Sequence, residues 1–187
     1  HPKFEQVVEK CYELGLEVGL VTNGVKLSPK AIDLLTKATW VRISVDASNV
    51  DSYVSIRRVP VVHYNRAWDN IKALAQRKKE TRSNLTIGVG FVVTKDNYKE
   101  VISAAMQARD AGADSFRISA VFQPDDEKYF ESFHTDAAAL CEAATTLNTG
   151  TFQVVNMFGD RVSDLVLKYP DYEFCGYQHF NTYIGAD

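Results

Sequence analysis

Residues 15–28 read GLEVGLVTNGVKLS, and this stretch decides the fold class. Its segment 17–21 ends in an almost wholly apolar run, which predicts a strand covered on both faces. Thr22, Asn23 and Gly24 close this strand with residues that favour a turn. Ser28-Pro29 then predicts the start of a helix, because a hydroxyl cap precedes a proline in the first turn. A strand followed by a helix is the unit from which parallel α/β sheets are built.

The same alternation continues in both directions along the chain. Apolar residues at helical spacing predict a helix from Phe4 to Tyr12, before the first strand. The further predicted strands are Trp40–Val45, Leu85–Val93, Ser115–Phe122 and Phe152–Val155. The further predicted helices cover residues 50–56, residues 64–79, a segment capped by Asn97, a segment from Thr135 or Asp136 to Leu147, and residues 162–168. Parallel strands need crossover connections. We therefore predict an α/β fold, a partial parallel (β/α) barrel of about five to six β/α units, truncated at both ends.

Composition and charge exclude several functional classes. The 187 residues are 45% hydrophobic and 24% charged, as in one globular domain. The net charge of −3 favours neither nucleic acid nor an anionic membrane, and no apolar run reaches the length of a membrane helix. Cys11, Cys141 and Cys175 fit no disulfide framework, which favours a reducing cytoplasm. No methionine starts the chain, and His1-Pro2 leads straight into a helix, so we expect a fragment of a longer protein.

Polar residues follow each predicted strand. They are Thr22-Asn23-Gly24, Ser44 to Asp46, Thr94 to Asn97, and Ile118 to Gln123. Ligands of parallel α/β folds meet the carboxyl ends of the strands, so these groups predict a binding site. The alternative is that the same residues only form turns and helix caps.

Arginines provide the second set of candidates. Arg57 and Arg58 lie in a crossover, where a guanidinium can clamp a carboxylate or stack on a base, or form a solvated surface pair. Arg117 lies within a predicted strand, so it either points into a polar barrel interior or sits near an edge. The four histidines lack metal-ligand spacing, and no Walker loop, G-x-S-x-G elbow or complete G-x-G-x-x-G is present.

Four segments together carry a family resemblance. They are the opening residues 1–4, GLEVGLVTNGVKLS (15–28), VRISVDASNVDSYVSIRR (41–58) with NRAWDNIKAL (65–74), and TIGVGFVVTKDNYKEV (86–101) with AGADSFRISAVF (111–122). In this order and spacing the chain resembles the radical S-adenosylmethionine superfamily, especially members with a C-terminal SPASM or twitch extension. The resemblance implies a barrel core over residues 1–160 and the start of such an extension over residues 161–187.

The resemblance also implies a set of cofactor-binding residues. Thr22 and Asn23 match the polar strand end beneath S-adenosylmethionine, and Ser44 and Asp46 match contacts to its ribose or methionine part. Of Arg57 and Arg58, Arg58 is favoured as the residue that binds the methionine carboxylate. Thr94, next to Val93, matches the strand end near the adenine, Asn97 matches a polar residue just after it, and Ile118 to Ala120 match a segment on the adenine side.

The cysteines depart from the family pattern. The family's C-x-x-x-C-x-x-C motif would lie upstream of His1, and Cys11, Cys141 and Cys175 cannot replace it. We therefore expect S-adenosylmethionine and a 4Fe–4S cluster in the full-length protein, and neither a cluster nor activity in this fragment. FCGYQHFNTYIGAD (174–187) resembles the start of a SPASM or twitch segment, in which Cys175 matches a ligand of an auxiliary cluster.

The resemblance implies that the parent protein cleaves S-adenosylmethionine reductively to a 5′-deoxyadenosyl radical. The radical would act on a peptide, a protein or a small molecule, with an electron donor such as flavodoxin or ferredoxin. Two other readings remain open: a Schiff-base (β/α)-barrel aldolase or lyase that uses Lys95 or Lys26, and a non-catalytic binding domain. The latter would bind its partner through an exposed patch of Tyr129, Phe130 and Phe133.

Overall fold

A computed structural model describes residues 1–122 and 127–159, together with residues 162 and 173. Within these residues, five strands form one parallel sheet whose spatial order is the chain order. The strands are β1 (Gly19–Thr22), β2 (Trp40–Ser44), β3 (Thr86–Val93), β4 (Ser115–Ala120) and β5 (Gln153–Met157). The prediction of an α/β fold with a parallel sheet is confirmed, and the open sheet is consistent with a partial barrel.

Helices connect the strands. They are α1 (Phe4–Glu13), α2 (Pro29–Leu35), α3 (Val50–Arg57), α4 (Val62–Thr81), α5 (Val101–Asp110), α6 (Glu127–Glu131) and α7 (His134–Ala144). Short 3₁₀ segments cover Tyr98–Glu100 and Thr145–Leu147. In the part of the chain that the structure describes, no helix has both the length and the apolar character needed to cross a membrane. The predicted extension over 161–187 lies outside the described residues, apart from 162 and 173.

Local capping signals place two of the helix starts. The Ser28 hydroxyl accepts the Ala31 N–H at 3.0 Å, and Pro29 occupies the first turn of α2, as predicted. The Asn49 side chain caps α3 in the same way, because its Oδ1 accepts the Ser52 N–H at 3.0 Å. Crossover helices therefore begin shortly after β1 and β2, and the intervening loops stay at the carboxyl edge of the sheet.

Alternate strand residues build the core on the helix side of the sheet. The fully buried strand residues on this side are Val41, Ile43, Val45, Ile87, Val89, Phe91, Val93, Phe116 and Ile118. Trp68, Ile71 and Leu74 of α4 pack in the same cluster. Each side chain of this size contributes about 1.5–3 kcal/mol when it leaves water. This helix-side cluster holds the five strands in their parallel register.

The other face of the sheet differs from the sequence prediction. The apolar sequences of the strands predict that both faces of the sheet are covered. In the structure, however, Val21 is 51% exposed and Trp40 is 39% exposed. Both residues point away from the helices, toward the side that a closed barrel would enclose. We call this surface the open face of the sheet.

Candidate functional site

The loop after β1 combines turn geometry with a cavity. Thr22 Oγ1 accepts the Gly24 N–H at 3.2 Å, and Asn23 Oδ1 accepts the Val25 N–H at 3.1 Å. Gly24 adopts a φ of 70°, which a residue with a Cβ rarely adopts. Thr22 and Asn23 also line a cavity of about 700 Å³, together with His63. The two residues therefore shape the turn and border a space large enough for a ligand.

A second cavity lies on the open face of the sheet. Its volume is about 340 Å³, and its lining includes Arg42, Ser44, Arg117, Ser119 and Phe122. Arg117 belongs to β4, which has a strand on each side, so this arginine points into the polar interior and does not sit at an edge. Of the positions that the resemblance assigns to the cofactor, Ser44 lines this cavity, as do Ser119 and Ala120 of the adenine-side segment.

Asp46 lies just beyond β2 in a left-handed conformation, with a φ of 61°. Its carboxylate accepts a hydrogen bond from Arg57 Nη2 at 2.5 Å and another from the Val92 N–H at 2.8 Å. Burial raises the pKa of Asp46, whereas the Arg57 guanidinium and the Val92 N–H act in the opposite direction. The side chain thereby ties the end of β2 to both α3 and β3.

Asn97 is fully buried and completes this connection. Its Oδ1 accepts the Thr94 N–H at 2.7 Å, and its Nδ2 donates to the carbonyls of Asp46 and Val92, each at 2.9 Å. The sequence predicted a helix cap, but the side chain makes no capping hydrogen bond to the following 3₁₀ segment. It turns back toward the strands, because three buried backbone groups there need partners. We call Asp46, Arg57 and Asn97 the edge network.

The two adjacent arginines have separate environments. Arg57 points inward to Asp46, whereas Arg58 ends α3 in a left-handed conformation with a φ of 53° and is exposed. Among the described residues Arg58 makes no ion pair. Arg58 lines neither of the two cavities, and its role in binding a carboxylate stays a prediction.

Sequence reasoning missed Glu100, a second link between the loops. Its Oε2 accepts the Ser48 N–H at 2.6 Å and the Ser48 hydroxyl at 2.9 Å, and its Oε1 accepts the Ser52 hydroxyl. The contact joins the start of α3 to the segment before α5, 48 to 52 residues apart along the chain. No local pattern marks such a residue, since an acidic group before a helix is common.

Six of the predicted cofactor residues lie at the carboxyl edge of β1 to β3: Thr22, Asn23, Ser44, Asp46, Thr94 and Asn97. Their side chains do not share one cavity. Thr22 and Asn23 line the cavity at β1, and Ser44 lines the open-face cavity. Asp46 and Asn97 instead bind protein groups within the edge network.

Sequence comparison identifies two relatives, each aligned over 123 residues. The chain is 26% identical to a tungsten-containing aldehyde ferredoxin oxidoreductase cofactor-modifying protein of Pyrococcus furiosus, over 64% of this chain and 34% of the relative. It is 30% identical to lipoyl synthase of Corynebacterium glutamicum, over 65% of this chain and 34% of the relative. No protein-family model matches the chain. The chain thus spans about a third of the length of the curated relatives it matches.

Structural comparison shows the same fold in Streptococcus suis SuiB bound to S-adenosylmethionine. The TM-score is 0.60 at 14% identity, over 81% of this chain and 34% of SuiB. The chain is thus similar in sequence to part of these two proteins and shares the fold of the matched part of SuiB. These likenesses are consistent with the resemblance of the four sequence segments to the radical S-adenosylmethionine superfamily, and the fold that it implies is confirmed.

The two described cysteines have separate environments. Cys11 is half-buried, and Cys141 is buried so completely that the pKa of its thiol rises to about 12. Among the described residues, no group of three or more His, Cys, Asp or Glu side chains is placed to hold a metal. Cys175 lies outside the described residues.

The alternative candidate residues have environments that disfavour their predicted roles. Lys95 and Lys26 are exposed, whereas a Schiff-base lysine needs a desolvated site. The prediction of an exposed aromatic patch is wrong, because Phe130 and Phe133 are each only 4% exposed. The ring of Phe130 packs on Phe158, with ring centres 5.9 Å apart, so these aromatics belong to the core.

Proposed function

We propose that this chain forms the cofactor- and substrate-facing part of the barrel of a radical S-adenosylmethionine enzyme that cleaves S-adenosylmethionine reductively. The observation that carries the proposal is a parallel sheet whose carboxyl edge bears polar residues beside two cavities, with one face free of described helices. The likeness to SuiB, solved with S-adenosylmethionine, supports this choice of cofactor. The sequence likeness to lipoyl synthase supports an enzymatic role for the parent protein.

The residues around the two cavities suit the polar groups of S-adenosylmethionine. Hydroxyl and amide groups of Thr22, Asn23 and Ser44 can donate to and accept from ribose hydroxyls and an amino-acid group. Arg58 can pair with a carboxylate, because its guanidinium has no ion-pair partner in the described residues. The bound cofactor and cluster supply the radical chemistry, and the protein supplies binding and orientation.

The edge network has a positioning role in this proposal. Asp46, Arg57 and Asn97 fix the loops after β2 and β3 through buried hydrogen bonds. Fixed loops hold Ser44 at the mouth of the open-face cavity without further ordering when a ligand binds. Such preorganisation lowers the entropic cost of binding.

Other parts of the parent protein complete the site in this proposal. The three cluster cysteines come from a segment before His1, and Cys175 is one ligand of an auxiliary cluster in a SPASM or twitch extension. The electron donor is a flavodoxin or ferredoxin, and the substrate is a peptide, a protein or a small molecule.

The test uses the complete protein that contains this chain, purified without oxygen. We expect bound iron and sulfide, and release of 5′-deoxyadenosine from S-adenosylmethionine when dithionite is added. Ser44→Ala should raise the KM for S-adenosylmethionine, whereas Ser55→Ala, on the exposed surface of α3, should leave it unchanged. A complete protein without a three-cysteine motif upstream, or one that holds a cluster and releases no 5′-deoxyadenosine, would contradict the proposal.

A further inference from the structure

Two arginines converge on the middle of the open face. Arg42 in β2 lies in register with Gly88 of β3, and Arg117 in β4 lies in register with Gly90. The two guanidinium-bearing residues therefore flank β3 from opposite sides. Both are half-buried, and both line the cavity of about 340 Å³.

The glycines of β3 let the Arg42 side chain cross the sheet. A Cβ added at Gly88 would lie 3.6 Å from Arg42 Cγ, and one added at Gly90 would lie 3.5 Å from Arg42 Cδ. The arginine thus lies over both glycines and extends toward β4. Larger residues at these positions would lift it off the strand, so the two glycines form the floor beneath it.

The convergence places like charges close together, and no acidic side chain of the described residues pairs with them. Burial and the proximity of Arg117 both lower the pKa of Arg42. No ion pair among the described residues includes either arginine. The one described partner of Arg42 is the Trp40 ring, whose centre lies 5.7 Å from the guanidinium carbon. An anion between the two arginines would relieve their repulsion and accept hydrogen bonds from both.

Two hydroxyls and an aromatic ring complete the cavity lining. Ser44 lies in register with Gly90, and Ser119 lies in register with Val92, so both hydroxyls stand beside β3 on the open face. Phe122 borders the same cavity and is 73% exposed. The lining therefore offers charged donors and hydroxyls for an anion, and an apolar surface for the body that carries it.

We infer that Arg42 and Arg117 bind the anionic group, a carboxylate or a phosphate, of the substrate of this enzyme. The inference rests on the proposed function, because it assigns the open face to the substrate. Arg42 reaches from the level of Gly88 to that of Gly90, where Arg117 and Ser44 lie in register on either side of β3. In the proposed function the carboxylate of the cofactor pairs with Arg58, which leaves the arginine pair to the anionic group of a different molecule.

Binding of small probes to the 187-residue chain tests the inference. Phenyl phosphate, benzoate and the neutral benzyl alcohol share a ring and differ in charge, and calorimetric titration measures the affinity of each. We expect saturable binding of the anions in the millimolar range, and none of the alcohol. Stronger binding of phenyl phosphate would identify a phosphorylated substrate, and stronger binding of benzoate a carboxylate.

Matched variants locate the site. Arg42→Gln and Arg117→Gln should each weaken anion binding about tenfold, since each removes charge-assisted hydrogen bonds. Arg42→Lys should retain part of the affinity, because it keeps the charge and loses the bidentate geometry. Arg66→Gln, on the exposed surface of α4, should have no effect. The anions should also raise the unfolding temperature of the wild type and not of the Gln variants, which provides a second measure on the folded protein.

Three results would overturn the inference: no saturable anion binding, equal loss in Arg66→Gln and the cavity variants, or competitive displacement of the anion by S-adenosylmethionine. The last result would assign the arginines to the carboxylate of the cofactor. These measurements need neither cluster nor turnover. The complete protein could therefore bind the anions at this site and yet release no 5′-deoxyadenosine. That result would contradict the proposed function and would still support the anion-binding site.

Discussion

Replacing Asn97 with alanine removes three hydrogen bonds, one of which joins the loop after β3 to the loop after β2, while the other two fix the end of β3 and its own loop. The side chain is fully buried, so the Thr94 N–H and the Asp46 and Val92 carbonyls lose their partner in a place with little access to water. Unsatisfied backbone groups of this kind destabilise a protein more than exposed ones do, because water cannot replace the lost partner.

The magnitude follows from the number of contacts. At about 1 kcal/mol for each hydrogen bond, the loss is about 3 kcal/mol, a large share of the 5–15 kcal/mol typical of a domain. For a chain of this length, about 3 kcal/mol corresponds to a fall of about 6–12 °C in Tm. Asn97→Asp should also be destabilising, since a carboxylate can accept the Thr94 N–H but cannot donate to the two carbonyls.

Urea unfolding monitored by circular dichroism measures the effect. We expect a lower midpoint with an unchanged m-value, which indicates a loss of stability without a change in the surface exposed. Asn65→Ala, on the exposed surface of α4, is the matched control and should cost less than about 0.5 kcal/mol. If Asn97→Ala cost no more than this control, the edge network would not be the structural link described above.

Three further predictions concern single residues. Arg57→Gln should lower the free energy of unfolding in urea by about 2 kcal/mol, because it breaks a charge-assisted hydrogen bond. Arg58→Gln should leave the free energy of unfolding unchanged and weaken S-adenosylmethionine binding. Equal losses of stability in the two variants would refute the distinction between these arginines. Gly24→Ala should lower the free energy of unfolding by about 2 kcal/mol, because the residue has a φ of 70° and its new Cβ would lie 2.7 Å from a buried isoleucine side chain. Gly150→Ala is the control and should not change stability, because a Cβ there would have no atom within 4 Å. Burial raises the pKa of the Cys141 thiol from 9.0 to about 12. Between pH 9 and 12 the thiol therefore ionises only in the unfolded chain, so the free energy of unfolding should fall as the pH rises above 9. Urea midpoints at pH 8 and 10 should therefore fall further for the wild type than for Cys141→Ala, and equal falls would contradict this account.

Local signals explain why the sequence predicted the fold. Apolar strands and the Ser28-Pro29 start each depend on a few neighbouring residues, and their alternation determines a parallel sheet. The alternation of strands and helices does not indicate a cofactor, and S-adenosylmethionine is proposed from the superfamily resemblance and the likeness to SuiB. The limits of the strands differ from the predictions by a few residues, because the last ladder hydrogen bonds depend on the neighbouring strand.

The candidate site was predicted less completely, because its contacts are long-range. Asn97 reaches Asp46 across 51 residues, and no local pattern indicates that pairing. Arg57 is the last residue of α3 and Arg58 follows it in a left-handed conformation, so only the packed structure shows which of the two points inward. Arg42 does have a local signal, because in WVRIS the residues Trp40, Arg42 and Ser44 alternate with buried residues and so share the other face of the strand. The aromatic patch failed as a prediction because nothing in the sequence shows that Phe158 packs against Phe130.

The division of each strand into alternate residues has a consequence for how such a protein can change. In β2 and β3 the even-numbered residues face the cavity, and in β4 the odd-numbered ones do, while their neighbours maintain the core. Mutations of the residues that face the cavity can therefore alter ligand preference with little loss of stability. Mutations of their buried neighbours would instead lower stability and leave the cavity lining unchanged. A library restricted to Arg42, Ser44, Arg117 and Ser119 would explore new specificities on an unchanged scaffold.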